Sequence, residues 1–218
     1  KYEKQKYTPG TFVTEFCGGI NTDDYVGITS FSHHPFYQQF VLEVPDNWLW
    51  EKVHNVPLSE LQRIIDNALD NGYSVGWAAD VSEKGFVTSQ KGVAVVPEAN
   101  KEEMSDSEFK KWEKLADSEK DQILYILNEP GKEKTITQEI RQAAFDTQET
   151  TDDHAMHIIG TARDQNGTLY YKIKNSWGPY NSYDGYFYAS VPYILYKTTA
   201  ILLHKNAVPA ETRQKLGF

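Results

Sequence analysis

Apolar residues recur at three and four positions over Leu58, Leu61, Ile64, Ile65, Ala68 and Leu69, the stripe of an amphipathic helix. Pro57 opens this helix, Ser59 and Glu60 fill its first turn, and Asn71-Gly72 stops it. Elsewhere Gln38 to Val44 alternates as a strand does, Tyr73 to Val81 is β-branched and aromatic enough for a buried strand, Tyr186 to Ser190 and Thr198 to His204 also read as strands, and Asp23 to Thr29 as a turn with a short strand. Asp80 suits a turn or a salt bridge. Asn47 to Val53, with Trp48 and Trp50, reads as a partly buried strand or loop. Thr8-Pro9-Gly10 leads into a short helix at Thr11 to Phe16, ended by Gly18-Gly19. Between 97 and 150 the chain turns acidic and helix-forming, with apolar positions sparse. Two or three short helices are expected there, interrupted at Asn128 to Gly131, the last at Thr137 to Phe145. Tyr193 to Tyr196 suits a short helix or turn, and the tail from Glu211 is helix-competent.

Two further runs matter most. His154, Met156 and Ile158 share a face of one strand, as do Leu169, Tyr171, Ile173 and Asn175 of the next, with Asp164-Gln165-Asn166-Gly167 as the turn between them. A histidine and an asparagine therefore project from one face of a hairpin. An amide bonded to an imidazole fixes its orientation and tautomer, as a general acid/base requires. A two-residue turn at Asn166-Gly167 would set Asn175 opposite Ile158. A four-residue loop at Arg163 to Asn166 would set it opposite His154. The registers differ by an even shift and keep the face, but direct contact is expected from the second alone.

Composition sets bounds on partners. The 218 residues are 39% hydrophobic and 13% aromatic, ample for a core, and the net charge of −9 disfavours nucleic acid and anionic membrane. No apolar run approaches the roughly 18 residues of a membrane span. The opening Lys1 to Lys6 is charged and has no initiator Met, so neither a signal peptide nor a natural start is expected there. The single cysteine, Cys17, excludes an internal disulfide framework. His33, His34, His54 and His157 match no ligand spacing, so no metal is expected.

Asp153-His154-Ala155, followed after the hairpin by Asn175-Ser176-Trp177-Gly178 and Asp184-Gly185-Tyr186, resembles the histidine and asparagine signatures of papain-superfamily cysteine peptidases. With Met156, Asn55-Val56-Pro57-Leu58 and Asp80-Val81, the likeness is to the bleomycin hydrolase and aminopeptidase C branch. It implies an α+β fold: a papain-like β-barrel half with packed helices and a helical insertion. Residues 1–96 would be its body, 97–150 an acidic surface insertion, and 151–218 the His/Asn hairpin, closing strands and C-terminal arm. The resemblance makes His154 the catalytic acid/base and Asn175 its orienting amide. Trp177 would shield their bond, the adjacent Asp153 is read as a supporting residue or a solvated loop carboxylate, and an arm ending at Gly217 and Phe218 would limit substrate access. No cofactor is implied.

Cys17 lies at about the distance upstream expected of a papain-like nucleophile. Its context does not fit, because Phe16-Cys17-Gly18-Gly19 lacks a following Trp and cannot begin a long helix. The expected nucleophile therefore lies on a missing or separate N-terminal half chain, with a peptide as substrate. The branch also implies a homo-oligomer and a cytoplasmic location, with secretion or the periplasm left open. Two other readings stand beside this one: a non-catalytic papain-like peptide-binding or structural protein, and a hydrolase using Cys17.

Overall fold

The computed structural model describes residues 4–18 and 20–218. Gly19, half of the expected helix stop, and Lys1 to Glu3 lie outside that set. Pro9–Thr11 (α1) is closed by a reciprocal Thr8/Thr11 cap and continues as a π-helical turn over Phe12–Phe16, in which no residue is buried.

Among the described residues ten strands form one sheet. They are β1 (Tyr25–Thr29), β2 (Gln39–Val41), β3 (Lys52–Asn55), β4 (Val75–Ala79), β5 (Phe86–Val87), β6 (Val93–Ala94), β7 (His154–Arg163), β8 (Leu169–Lys174), β9 (Tyr186–Ser190) and β10 (Thr198–His204). Their spatial order is β2-β3-β1-β10-β4-β7-β8-β9-β6-β5. The expected barrel half is thus a ladder running from one edge strand to the other, and among the described residues no pairing joins β2 to β5.

The predicted amphipathic helix is α2 (Leu58–Asp70), which buries Leu58, Leu61, Ile64, Ile65 and Ala68. Gly72 ends it in the left-handed region at φ 78°, and the Tyr73 amide reaches back to the Ala68 carbonyl at 2.9 Å. Its stripe packs with Trp77, Ile158, Tyr171, Ile173, Phe187 and Ile201 of the sheet. Apolar burial of this kind supplies most of the driving force for folding. The Trp77 indole N–H inside that core donates to Thr198 Oγ1 at 2.7 Å, so its polar atom is satisfied.

Some expectations need correction. Only Gln39–Val41 of the predicted 38–44 strand pairs, because the chain turns away at Leu42. The Asn47 side chain donates to the Leu42 and Glu51 carbonyls and accepts from the Glu51 amide, fixing a loop in place of a strand. Trp48 and Trp50, expected to be partly buried, stand 76% and 67% exposed on that loop.

Segment 97–150 divides in two. Helices α3 (Asp106–Lys114) and α4 (Asp117–Leu124) bury no residue and lie on the surface, as read from the sequence. Helix α5 (Gln138–Asp146) does not: it buries Arg141, Gln142 and Ala144. The Arg141 guanidinium donates to the carbonyls of Ser30, Leu195 and Thr198 at 2.7, 2.7 and 2.5 Å and faces the Phe31 ring. Burial pushes its pKa down to about 9, which leaves it charged at neutral pH. Helices α6 (Val191–Lys197) and α7 (Ala210–Leu216) complete the chain.

Candidate active site

His154 is the first residue of β7 and pairs with Ala79 at the end of β4. The segment leading into it is tied down residue by residue. The Thr150 amide donates to the Ala144 carbonyl, the Thr151 amide to Asp80 Oδ2 at 3.2 Å, and the Asp153 amide to the Ala79 carbonyl at 3.4 Å. Asp80 is fully buried. Burial works to raise its pKa, yet donation from the Ser82 hydroxyl and amide and from Thr151 holds it below the usual carboxylate value. The buried Lys197 ammonium lies 3.6 Å from Asp80, 2.6 Å from Glu83 and 2.7 Å from the Glu149 carbonyl. The strand before His154 is thereby clamped to β4 and to the end of α6.

The hairpin register is neither of the two expected. Its loop has five residues, Asp164 to Thr168. Asp164 organises them by accepting from the Asn166 and Thr168 amides, and Gly167 takes φ 84°. Pairing then runs from Arg163–Leu169 to Gly160–Lys172, shifts at a bulge between Ile158 and Gly160, and resumes as Ile158–Ile173 and His157–Lys174. Without the bulge Asn175 would fall opposite His157, on the wrong face. With it, the continued register sets Asn175 opposite Met156, diagonal to His154. Contact does not require direct opposition, because a diagonal neighbour is within reach of these side chains.

His154 Nε2 and Asn175 Oδ1 lie 2.8 Å apart. The Ser176 amide donates to the same oxygen at 2.7 Å, which assigns it as the acceptor, so Nε2 carries the hydrogen. In the neutral ring Nδ1 is left as the acceptor nitrogen. Asn175 is 5% exposed, and its amide nitrogen reaches the Tyr180 hydroxyl at 3.4 Å. Trp177 stacks on His154 with centroids 4.8 Å apart and 27° between planes, and meets Tyr180 edge-on at 5.3 Å. Trp177 is itself 48% exposed, although its ring lies against both His154 and Phe86. The loop beyond it is built by Asn181, which bonds the Thr88 and Tyr186 carbonyls and the Tyr183 and Gly185 amides. Gly185 has no substitute there: at φ 82°, a Cβ would sit 2.2 Å from the Gly178 carbonyl oxygen.

The other candidates fall elsewhere. The Asp153 carboxylate accepts from the Thr151 hydroxyl and the Val81 amide and so braces the β4–β7 junction. Cys17 follows a helical turn that buries no residue, and no hydrogen bond or ring contact among the described residues joins it to His154. His157 is exposed on the opposite face, and the described residues contain no His/Cys/Asp/Glu group able to hold a metal. No helix among them is long and apolar enough to cross a membrane.

The arm residues Gly217 and Phe218 are not brought to His154. Phe218 packs edge-on against His54 of β3, four strands and roughly 19 Å across the sheet from β7. The reason is the seat of α7. Glu60 of α2 accepts from the Thr212 hydroxyl at 2.8 Å and pairs with Lys215 at 3.0 Å, which turns the tail to that edge. Sequence reasoning also missed Tyr180, Asn181 and Lys197. Tyr180 and Asn181 could have been sought in the turn-rich loop after Trp177, whereas nothing local marks Lys197.

A family model, the Peptidase C1-like family, matches residues 132–217. Aminopeptidase E of Lactobacillus helveticus is 23% identical over 210 residues, covering 94% of this chain and 41% of its own length. The crystal structure of pepw from Lactobacillus rhamnosis superposes with a TM-score of 0.66 at 20% identity, over 98% of this chain and 42% of that one. The fold is therefore papain-like, and residues 132–217 are similar to the Peptidase C1-like family. The chain spans about two fifths of the length of each of these relatives.

Proposed function

We propose that this chain carries the histidine and asparagine of a cysteine aminopeptidase, and that the nucleophilic thiol lies on polypeptide outside residues 1–218. The observation that carries the reading is the 2.8 Å His154–Asn175 hydrogen bond beneath Trp177. The aminopeptidase character is taken from the name of the Lactobacillus helveticus relative.

In this reading a thiolate attacks the carbonyl carbon of a peptide and the carbonyl π electrons move to oxygen. As the tetrahedral adduct collapses, the C–N bond breaks and the His154 imidazolium gives its Nδ1 proton to the departing amine, leaving a thioester. His154 Nδ1 then takes a proton from water as the water attacks the thioester. The new adduct collapses with cleavage of its C–S bond, the acid leaves, and the thiolate stands again beside the imidazolium formed when the water gave up its proton. Asn175 keeps Nε2 occupied throughout, so that Nδ1 alone serves as acid and base.

The first test is the intact mass and N-terminal sequence of every polypeptide in active material, with a thiol-directed inhibitor as label. The label is expected on a second polypeptide or on chain outside this span; labelling of Cys17 with loss of activity would move the nucleophile into this chain. Replacing His154 by Ala should lower turnover by roughly 10² to 10⁴. Activity surviving that change would remove the catalytic assignment. The second reading, a peptide-binding protein without turnover, is supported by the lack of a thiol in contact with His154 among the described residues. Stoichiometric peptide binding with no labelled thiol anywhere would establish it.

A further inference from the structure

A cavity of about 570 Å³ lies at the end of the sheet away from His154, between strands β6 and β8 and the chain that leaves α4. Its size is that of a small-molecule site. Tyr170 on its wall and Asn175, the residue after β8, are five positions apart, roughly 17 Å along the strand. Val93, Val95, Leu124 and Leu127 give it apolar walls, and Glu133 and Tyr170 give it polar ones.

The Glu133 backbone is fixed, since it pairs with Pro97 in a short bridge flanked by Glu98–Lys132 and Lys134–Val96 hydrogen bonds. So is half of its carboxyl: Oε2 accepts from the Val96 amide at 2.8 Å and from the Ser190 hydroxyl at 2.6 Å. Among the described residues neither Glu133 Oε1 nor the Tyr170 hydroxyl has a hydrogen-bond partner, and neither is a sealed atom. Both residues line the cavity, so both atoms have acceptor capacity left for a guest.

The nearby cations do not meet that capacity. Lys91 bonds Asn128 at 3.1 Å and Lys132 lies 3.8 Å from Glu102, while Glu98 and Glu129 add negative charge to the lining. Burial raises the Glu133 pKa, as expected for a carboxyl short of a counter-charge.

We propose that this cavity is a binding site for a small amine, its ammonium received by Glu133 Oε1 and the Tyr170 hydroxyl and its apolar body lodged among Val93, Val95, Leu124 and Leu127. The site is separate from the His154–Asn175 pair and does not depend on the peptidase reading.

The test titrates the full chain with 2-phenylethylamine and with 2-phenylethanol, a neutral molecule of the same shape, following amide shifts by NMR. The amine should bind at least about tenfold tighter than the alcohol, the size of one charge-assisted hydrogen bond. Its shifts should centre on Val93, Val95 and Tyr170. Glu133→Gln, which keeps an acceptor for Val96 and Ser190, should bring amine and alcohol to equal affinity, and Leu124→Trp should block both by filling the space. Equal binding of the two probes to the unaltered chain, shifts centred elsewhere, or no saturable shift at millimolar amine would each overturn the proposal. These readings on the unaltered chain decide the matter even if a variant fails to fold.

Discussion

Helices α3 and α5 have much in common as sequence: each has nine residues, a polar and charged composition, and a hydroxyl residue at its start. In the fold they are opposites. α3 buries nothing, whereas α5 carries a fully buried arginine that satisfies three carbonyls, one of Ser30 after β1 and two at the junction of α6 and β10. A guanidinium has five donors in a fixed fork, and a buried carbonyl without a donor costs free energy. The lesson is that a charged residue in a short helix is no guide to exposure when chain distant in sequence brings carbonyls to meet it. α5 is part of the body, and it delivers the chain through Thr150 to the histidine strand.

The sharpest way to break this contrast is to remove the charge from each helix. Arg141→Met strands three carbonyls and should cost about 3 to 5 kcal/mol in urea unfolding. Lys111→Met on exposed α3 should stay within about 0.5 kcal/mol. Equal losses would mean that α5 is held by its apolar residues alone.

A smaller effect comes from the caps. Thr137 Oγ1 accepts from the Ile140 amide in α5, and Ser105 forms a capping box with Glu108 in α3. Thr137→Ala should lower global stability by about 1 kcal/mol, because α5 unfolds with the core. Ser105→Ala should leave the global midpoint unchanged and appear only as faster amide exchange within α3. Matching global losses would join α3 to the same cooperative unit.

The smallest difference expected is one of sign, at two glutamates of these regions. Burial raises the Glu133 pKa above its ordinary 4.5, so the folded state holds that proton more tightly than the unfolded chain. Stability contributed by the protonated form is lost as pH climbs from 4.5 through the raised value. The melting temperature of the native chain should therefore fall over that window relative to Glu133→Gln. Glu108 in α3 behaves oppositely: donation from the Ser105 hydroxyl and amide lowers its pKa, so its contribution is lost as pH falls. A native chain that tracks Glu133→Gln across the window would show that the carboxyl feels no burial.

Much of this was legible beforehand, for local reasons. The stripe of α2 and the apolar and aromatic runs of β9 and β10 are short-range signals and reappear with nearly the expected ends. Trp48 and Trp50 misled, because aromatic content was read as burial while Asn47 next to them builds an outward loop. The short strands β5 and β6 have too few residues to show a period.

What the amino-acid order determined by itself is the chemistry of the candidate site and the shared face of its parts: a histidine that opens one strand, an asparagine that closes the next, and a tryptophan two residues on. Their meeting was decided by the tertiary structure. The bulge between Ile158 and Gly160 selects the register, Lys197 and Asp80 hold the approach to His154, and the Glu60–Thr212–Lys215 network carries the tail to the opposite side of the sheet. Each depends on groups far apart in sequence, and a periodicity read within one segment holds no information about partners that folding brings from elsewhere.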